Sequence, residues 1–143
     1  MSRRELREQI FKFIFRVEFN DRDEMPEQEQ FFFENLEAEA QENELPRISE
    51  TDAAYISDKG NRILEKLDEI DTMINTRAKG WTTQRMGKVD LTILRLAVYE
   101  IIFDKDVPTS VAINEAVELA KRFGQDESSG FVNGVLAKFA VKK

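Results

Sequence analysis

Apolar residues recur along this chain at the three-and-four spacing of amphipathic helices, and no stretch alternates as a half-buried strand would. Residues 3–19 carry two such rows. Leu6, Ile10, Phe13, Ile14 and Val17 form one, and Phe11, Phe15 and Phe19, four apart, form the other. That is more apolar surface than one neighbour covers, so the first helix is expected to be wrapped by others. Asp21 to Pro26 predicts a loop, and Phe31, Phe32, Phe33, Leu36 and Ala40 predict a second helix ending before Leu45-Pro46. Ser49, followed three residues later by Asp52, fits a capping box opening a third helix. Its apolar face holds Ile56, Gly60, Ile63, Leu64, Leu67, Ile70 and Ile74. A glycine inside a helix costs about 1 kcal/mol relative to Ala, so Gly60 predicts close approach of a neighbour.

The pattern breaks at Lys79-Gly80 and resumes as a nearly all-round apolar helix containing Ile93, Leu94, Leu96, Ala97, Ile101 and Ile102. Such a helix belongs at the centre of its bundle. Arg95 and Glu100 interrupt it, and because unpaired buried charge is costly they predict ion-pair or capping roles. Pro108, with Thr109 and Ser110 able to cap free amides, opens a helix whose apolar side holds Val111, Ala112, Ala116, Leu119, Ala120 and Phe123. Gly124 predicts a left-handed C-cap. A last amphipathic run follows with Phe131, Val132, Val135, Leu136 and Phe139. The class is all-α.

Charge changes the picture. The net charge of −7 conceals segregation: residues 20–52 hold 12 acidic against 2 basic side chains, and the rest of the chain is net +3. Arg3, Arg4, Arg7, Lys12 and Arg16 stand against Glu5 and Glu8 in the first helix. The cations of its first turn oppose the helix dipole, a local cost that points to a binding role, against plain solvated Arg. The acidic stretch reads most simply as a solvated face. With no Cys and no His, disulfides, thiolate chemistry, His-based acid–base catalysis and ordinary zinc sites are excluded. No phosphate loop, nucleophile elbow or metal-ligand cluster is visible, so neither catalytic residues nor a cofactor are expected. The absence of a membrane-length apolar run or signal peptide predicts a cytoplasmic protein.

The strings VDLTILRLAVYEIIF at 89–103, DVP at 106–108, INEAVELAKRFG at 113–124 and FVNGVL from Phe131 resemble the NusB family of bacterial transcription antitermination factors. The resemblance is dense from Ile74 to Phe139 and looser in the first helix. It implies about seven helices in two small packed bundles within one domain, 1–76 and 77–143. It also implies pairing with NusE, a small-subunit ribosomal protein, and binding of single-stranded boxA RNA in ribosomal RNA leaders. With other Nus factors on the RNA polymerase elongation complex, such a pair suppresses Rho-dependent termination. Family members occur as monomers and as homodimers.

By resemblance, Arg3, Arg4 and Arg7 are phosphate ligands, which give affinity and register with little sequence information. Phe15 and Phe131 are candidates to stack on unpaired bases, against plain core packing. Glu127 matches an acidic position near the RNA surface, against a first-turn or capping carboxylate. Lys79, Trp81 and Arg85 lie near that surface by analogy, with Trp81 equally placed for the core. Asp90 matches an acidic residue facing NusE, against a solvated first-turn carboxylate. Two departures weaken the expected RNA face: Ser129-Gly130 stands where the family commonly has a basic pair, and Glu5 interrupts the N-terminal arginines. They support a rival, a protein-binding helical adaptor that kept the fold and lost RNA affinity. A third possibility, the targeting module of a ribosomal RNA cytosine methyltransferase, requires a catalytic domain beyond Lys143.

Overall fold

The computed structural model describes residues 1–140, so Lys142 and Lys143 lie outside the described residues. Among these the regular elements are helical: α1 (Arg3–Phe15), α2 (Met25–Glu42), α3 (Glu50–Glu65), α4 (Leu67–Arg77), α5 (Lys88–Phe103), α6 (Thr109–Phe123) and α7 (Ser128–Ala137). Short 3-10 turns stand at Arg16–Glu18, Arg22–Glu24 and Thr83–Arg85. The chain divides into two compact units, Met1–Leu64 and Glu65–Lys143. The break falls at the end of α3, ahead of the expected 76/77 boundary, because α4 packs on α5.

In the first unit, three helices meet at one ring. Phe13 of α1 is fully buried and lies 5.5 Å, centroid to centroid, from Phe32 of α2. It also covers Gly60 of α3 so closely that a Cβ there would fall inside the ring's van der Waals envelope. The close approach expected at Gly60 is thus made by Phe13. Polar ties join α2 to α3: the Glu29 carboxylate accepts from the Ser57 hydroxyl at 2.7 Å and the Asn61 amide at 2.8 Å. The predicted loop at 21–26 instead tightens into a 3-10 turn running into α2, with Pro26 in the first helical turn, where its missing N–H costs nothing. At α3 the Asp52 N–H donates to Ser49 Oγ at 3.1 Å, but the Asp52 carboxylate takes the Met1 ammonium at 2.8 Å.

The second aromatic row is covered only at its beginning. Phe11 is buried, Phe15 half-buried and Phe19 is 63% exposed. The wrapping expected along the whole row fails where α1 gives way to a 3-10 turn, which swings the chain before α2.

In the second unit, α5 is the centre, packed by α4, α6 and α7, and every residue from Leu91 to Glu100 is buried. Arg95 is satisfied by a bidentate pair with Asp71 of α4, Nε to Oδ1 at 2.9 Å and Nη2 to Oδ2 at 2.7 Å. Among the described residues no buried side-chain nitrogen or oxygen lacks a partner. Pro108 itself occupies the cap position of α6, without a side-chain capping bond, so Thr109 begins the helix rather than capping it. Val111 is 41% exposed, off the buried face formed by Ala112, Ala116, Leu119 and Ala120. Gly124 is extended (φ −91°, ψ −167°), not left-handed. Its lack of a side chain serves a different end: a Cβ there would press on Ser128, at 2.5 Å from its Cβ. Ser128, buried at the start of α7, accepts the Gln125 N–H at 2.9 Å and so closes the turn.

Candidate nucleic-acid interface

The first unit presents the N-terminal turn of α1. Ser2 caps the helix: its hydroxyl accepts the Glu5 N–H at 3.1 Å while Glu5 Oε1 accepts the Ser2 N–H at 2.7 Å. The backbone bond from Ser2, joined by its hydroxyl, holds the Glu5 carboxyl below its ordinary range. Glu5 therefore completes a capping box, and the cost expected for a basic first turn is offset by it. Arg3 and Arg4 are exposed, whereas Arg7 is buried. Further along, Phe15 stacks on Phe11 at 6.1 Å and receives Phe19 edge-on at 5.3 Å. Arg16 is held aside, Nη1 donating to Gln28 at 3.0 Å and the guanidinium over Phe32.

The second unit presents the connection from α4 to α5. Gly80 takes φ +84°, a left-handed conformation that glycine alone adopts without cost. This turns the chain so that the Trp81 N–H returns to the Ala78 carbonyl at 2.9 Å. The Thr83 N–H is fastened to Asn75 Oδ1 of α4 at 2.7 Å. Trp81 is thereby set against Phe131 of α7, centroids 5.4 Å apart and planes at 68°. Trp81 is 50% exposed and Phe131 half-buried, so neither is a core residue. Lys79 and Arg85, on either side of Trp81 in sequence, are both exposed. Arg77 lies over the buried Phe139 ring at 4.6 Å.

The remaining candidates spread around these features. Glu127 stands at the N-cap of α7, but only its carbonyl is used, accepting the Phe131 N–H at 3.0 Å; the carboxylate makes no capping bond and is exposed. Asp90 is half-buried in the first turn of α5. Ser129 is half-buried, and Gly130 faces open space. Sequence reasoning missed Ser2 as a cap, although Ser-x-x-Glu was its signature. It missed the exposure of Phe19, whose signal was its place at the open end of an aromatic row. The Asn75 anchor left no signal in the pattern.

Among the described residues no helix is long and apolar enough to cross a membrane, and no group of three or more metal-ligating side chains is assembled. Fold and surface together define a small all-α protein that offers exposed aromatics beside exposed cations.

The chain belongs to the NusB family, whose model matches residues 4–141. It is 51% identical over 140 residues to the transcription antitermination protein NusB of Agathobacter rectalis, covering 98% of this chain and 100% of that one. To the NusB of Lachnoclostridium phytofermentans it is 49% identical over 138 residues, covering 96% and 98%. Its structure resembles NusB of T. maritima, with a TM-score of 0.80 and 36% identity over 98% of this chain and 91% of that one. The same fold appears in a chain crystallised as NusB and NusE in complex with double-stranded RNA, with a TM-score of 0.71 and 23% identity over 97% of each.

Proposed function

We propose that this protein is an RNA-binding transcription antitermination factor of the bacterial cytoplasm. It pairs with NusE, binds single-stranded boxA RNA of ribosomal RNA leaders and, with other Nus factors on RNA polymerase, suppresses Rho-dependent termination. The observation that carries the RNA part is the Trp81–Phe131 pair, half open to solvent and accompanied by Lys79 and Arg85. Exposed aromatics stack on unpaired bases of any sequence, and cations track the backbone. Arg3 and Arg4 supply further phosphate contacts, while Arg7 acts from a buried position that also serves the fold. Glu127 borders the RNA face and Asp90 belongs to the NusE face. The name borne by the relatives at 51% and 49% identity supports the antitermination role.

Uncharged Ser129-Gly130 favours a second reading, a protein-binding adaptor with little RNA affinity. Titrating boxA RNA with and without NusE, at several salt concentrations, separates the two. Specific binding that strengthens with NusE and weakens with salt, by about −0.7 in log–log slope per phosphate contacted, supports the first. Tight NusE binding to which RNA adds nothing leaves the adaptor.

A further inference from the structure

We propose that Asn75 is a positioning residue of the RNA site, holding the connection that presents Trp81 to an unpaired base. The inference rests on the RNA-binding reading above. Trp81 lies between α4 and α5, where the chain has no α-helix of its own to stiffen it. A half-exposed ring on such a connection would sample several rotamers and backbone paths, and ordering them would oppose binding. Before the ring, Gly80 at φ +84° makes the turn, and the Trp81 N–H returns to the Ala78 carbonyl at 2.9 Å. Beyond the ring, the Thr83 N–H donates to Asn75 Oδ1 at 2.7 Å, at the short end of the range for such bonds. Asn75 sits in the last turn of α4 beside the fully buried Ile74, so its carbonyl is carried by a packed helix.

The charge of the fastened segment suits the same occupant. From Thr72 to Val89 the chain carries Arg77, Lys79, Arg85 and Lys88 and no carboxylate, and Lys79, Arg85 and Lys88 are exposed. Asp126 and Glu127 precede Phe131 by about one helical turn, so the cationic side of the aromatic pair is the Trp81 side. Phosphates are therefore drawn along the connection, with a base on the ring it carries. Thr83 also opens the 3-10 turn that ends in Arg85, so one hydrogen bond steadies a stacking ring and a cation together. Asn75 is itself exposed and contributes little to the core. Its effect falls on presentation, which is how preorganisation favours binding.

The test is a double-mutant cycle on the full chain, read by boxA RNA affinity with NusE present and by acrylamide quenching of Trp81 in the free protein. Asn75→Ala should weaken RNA binding about threefold, within the cost of ordering one side chain, and raise the quenching. Asn75→Asp keeps the acceptor and should keep the wild-type quenching. Thr82 is extended (φ −107°, ψ 158°), the conformation preferred before proline, so Thr83→Pro removes the donor without a clash. In that background Asn75→Ala should change neither reading further. The urea midpoint of Asn75→Ala should barely move, because the bond is exposed. Wild-type affinity and quenching in Asn75→Ala would overturn the assignment while leaving the RNA-binding reading intact. So would a lowered midpoint with RNA affinity unchanged, which would make the bond purely structural. An undiminished loss from Asn75→Ala in the Thr83→Pro background would also overturn it, making Asn75 a direct RNA contact. If wild type itself bound no RNA, the broader reading would fall, and this one with it.

Discussion

Trp81, on the connection from α4 to α5, meets Phe131 of α7 edge to face, 5.4 Å between ring centroids, and Trp81 is the chain's single tryptophan. RNA that stacks on either ring must therefore change the emission of Trp81. Phe131→Ala should weaken boxA binding by ~1–3 kcal/mol, the worth of one stacked base. Because Phe131 is only half-buried, the melting temperature should fall little. Fluorescence titration and a thermal melt check both halves; a large stability loss with unchanged RNA affinity would make the ring structural.

Arg3 and Arg4 differ from Arg7 in exposure, and so should their variants. Arg3→Ala and Arg4→Ala should each flatten the log–log salt dependence of RNA binding by about 0.7 without changing stability. Arg7→Ala should lower the denaturation midpoint as well. Salt-series binding and chemical denaturation separate these effects.

Gly130 faces open space where a side chain would meet nothing within 4 Å. Gly130→Lys should stabilise α7 by up to about 1 kcal/mol through helix propensity. It should also steepen the salt slope by about 0.7 if this face touches a phosphate. The measurement is the same salt series, run beside a melt.

Gly60 lies under the Phe13 ring, and Arg95 is held by Asp71. Gly60→Ala should destabilise by about 1–3 kcal/mol, since overpacking against an immobile aromatic outweighs the gain in helix propensity. Asp71→Ala, which leaves the largely buried Arg95 without its carboxylate, should cost ~3 kcal/mol. Urea denaturation reads both.

Glu5 titrates below its ordinary value of 4.5 because Ser2 donates to its ionised form. A depressed carboxyl pKa contributes stability that is fully present above the unfolded value and is lost as pH falls through the folded one. Fraying of the first turn of α1 should therefore begin below pH 4.5, and Glu5→Gln should remove that dependence. NMR titration of the Ser2 and Glu5 amides follows it directly.

Much of this architecture was legible because periodicity reports burial. The apolar run became the centre of its unit over 91–100, with Ile102 left exposed, and Gly60 announced a close neighbour without naming Phe13. Arg95 announced a partner, but Asp71 lies 24 residues away on another helix, and only packing could choose it. Gly124 misled because glycine permits two things, left-handed backbone and close approach, and the chain uses the second. Of the candidate interface, the residue types were readable and their exposures were not. Nothing in spacing tells that Arg7 turns inward while Arg3 does not, or that Trp81 stays half in water.

The burial of α5 has an evolutionary corollary. Ten successive buried positions leave the middle of that helix almost no room to vary without disturbing its neighbours. Within the second unit, new recognition chemistry has more room in the connections at 78–87 and 124–127, where Gly80 and the turn closed by Ser128 fix the path but leave neighbouring side chains open. Descendants of this chain could drift toward or away from RNA at those few sites while inheriting the same scaffold.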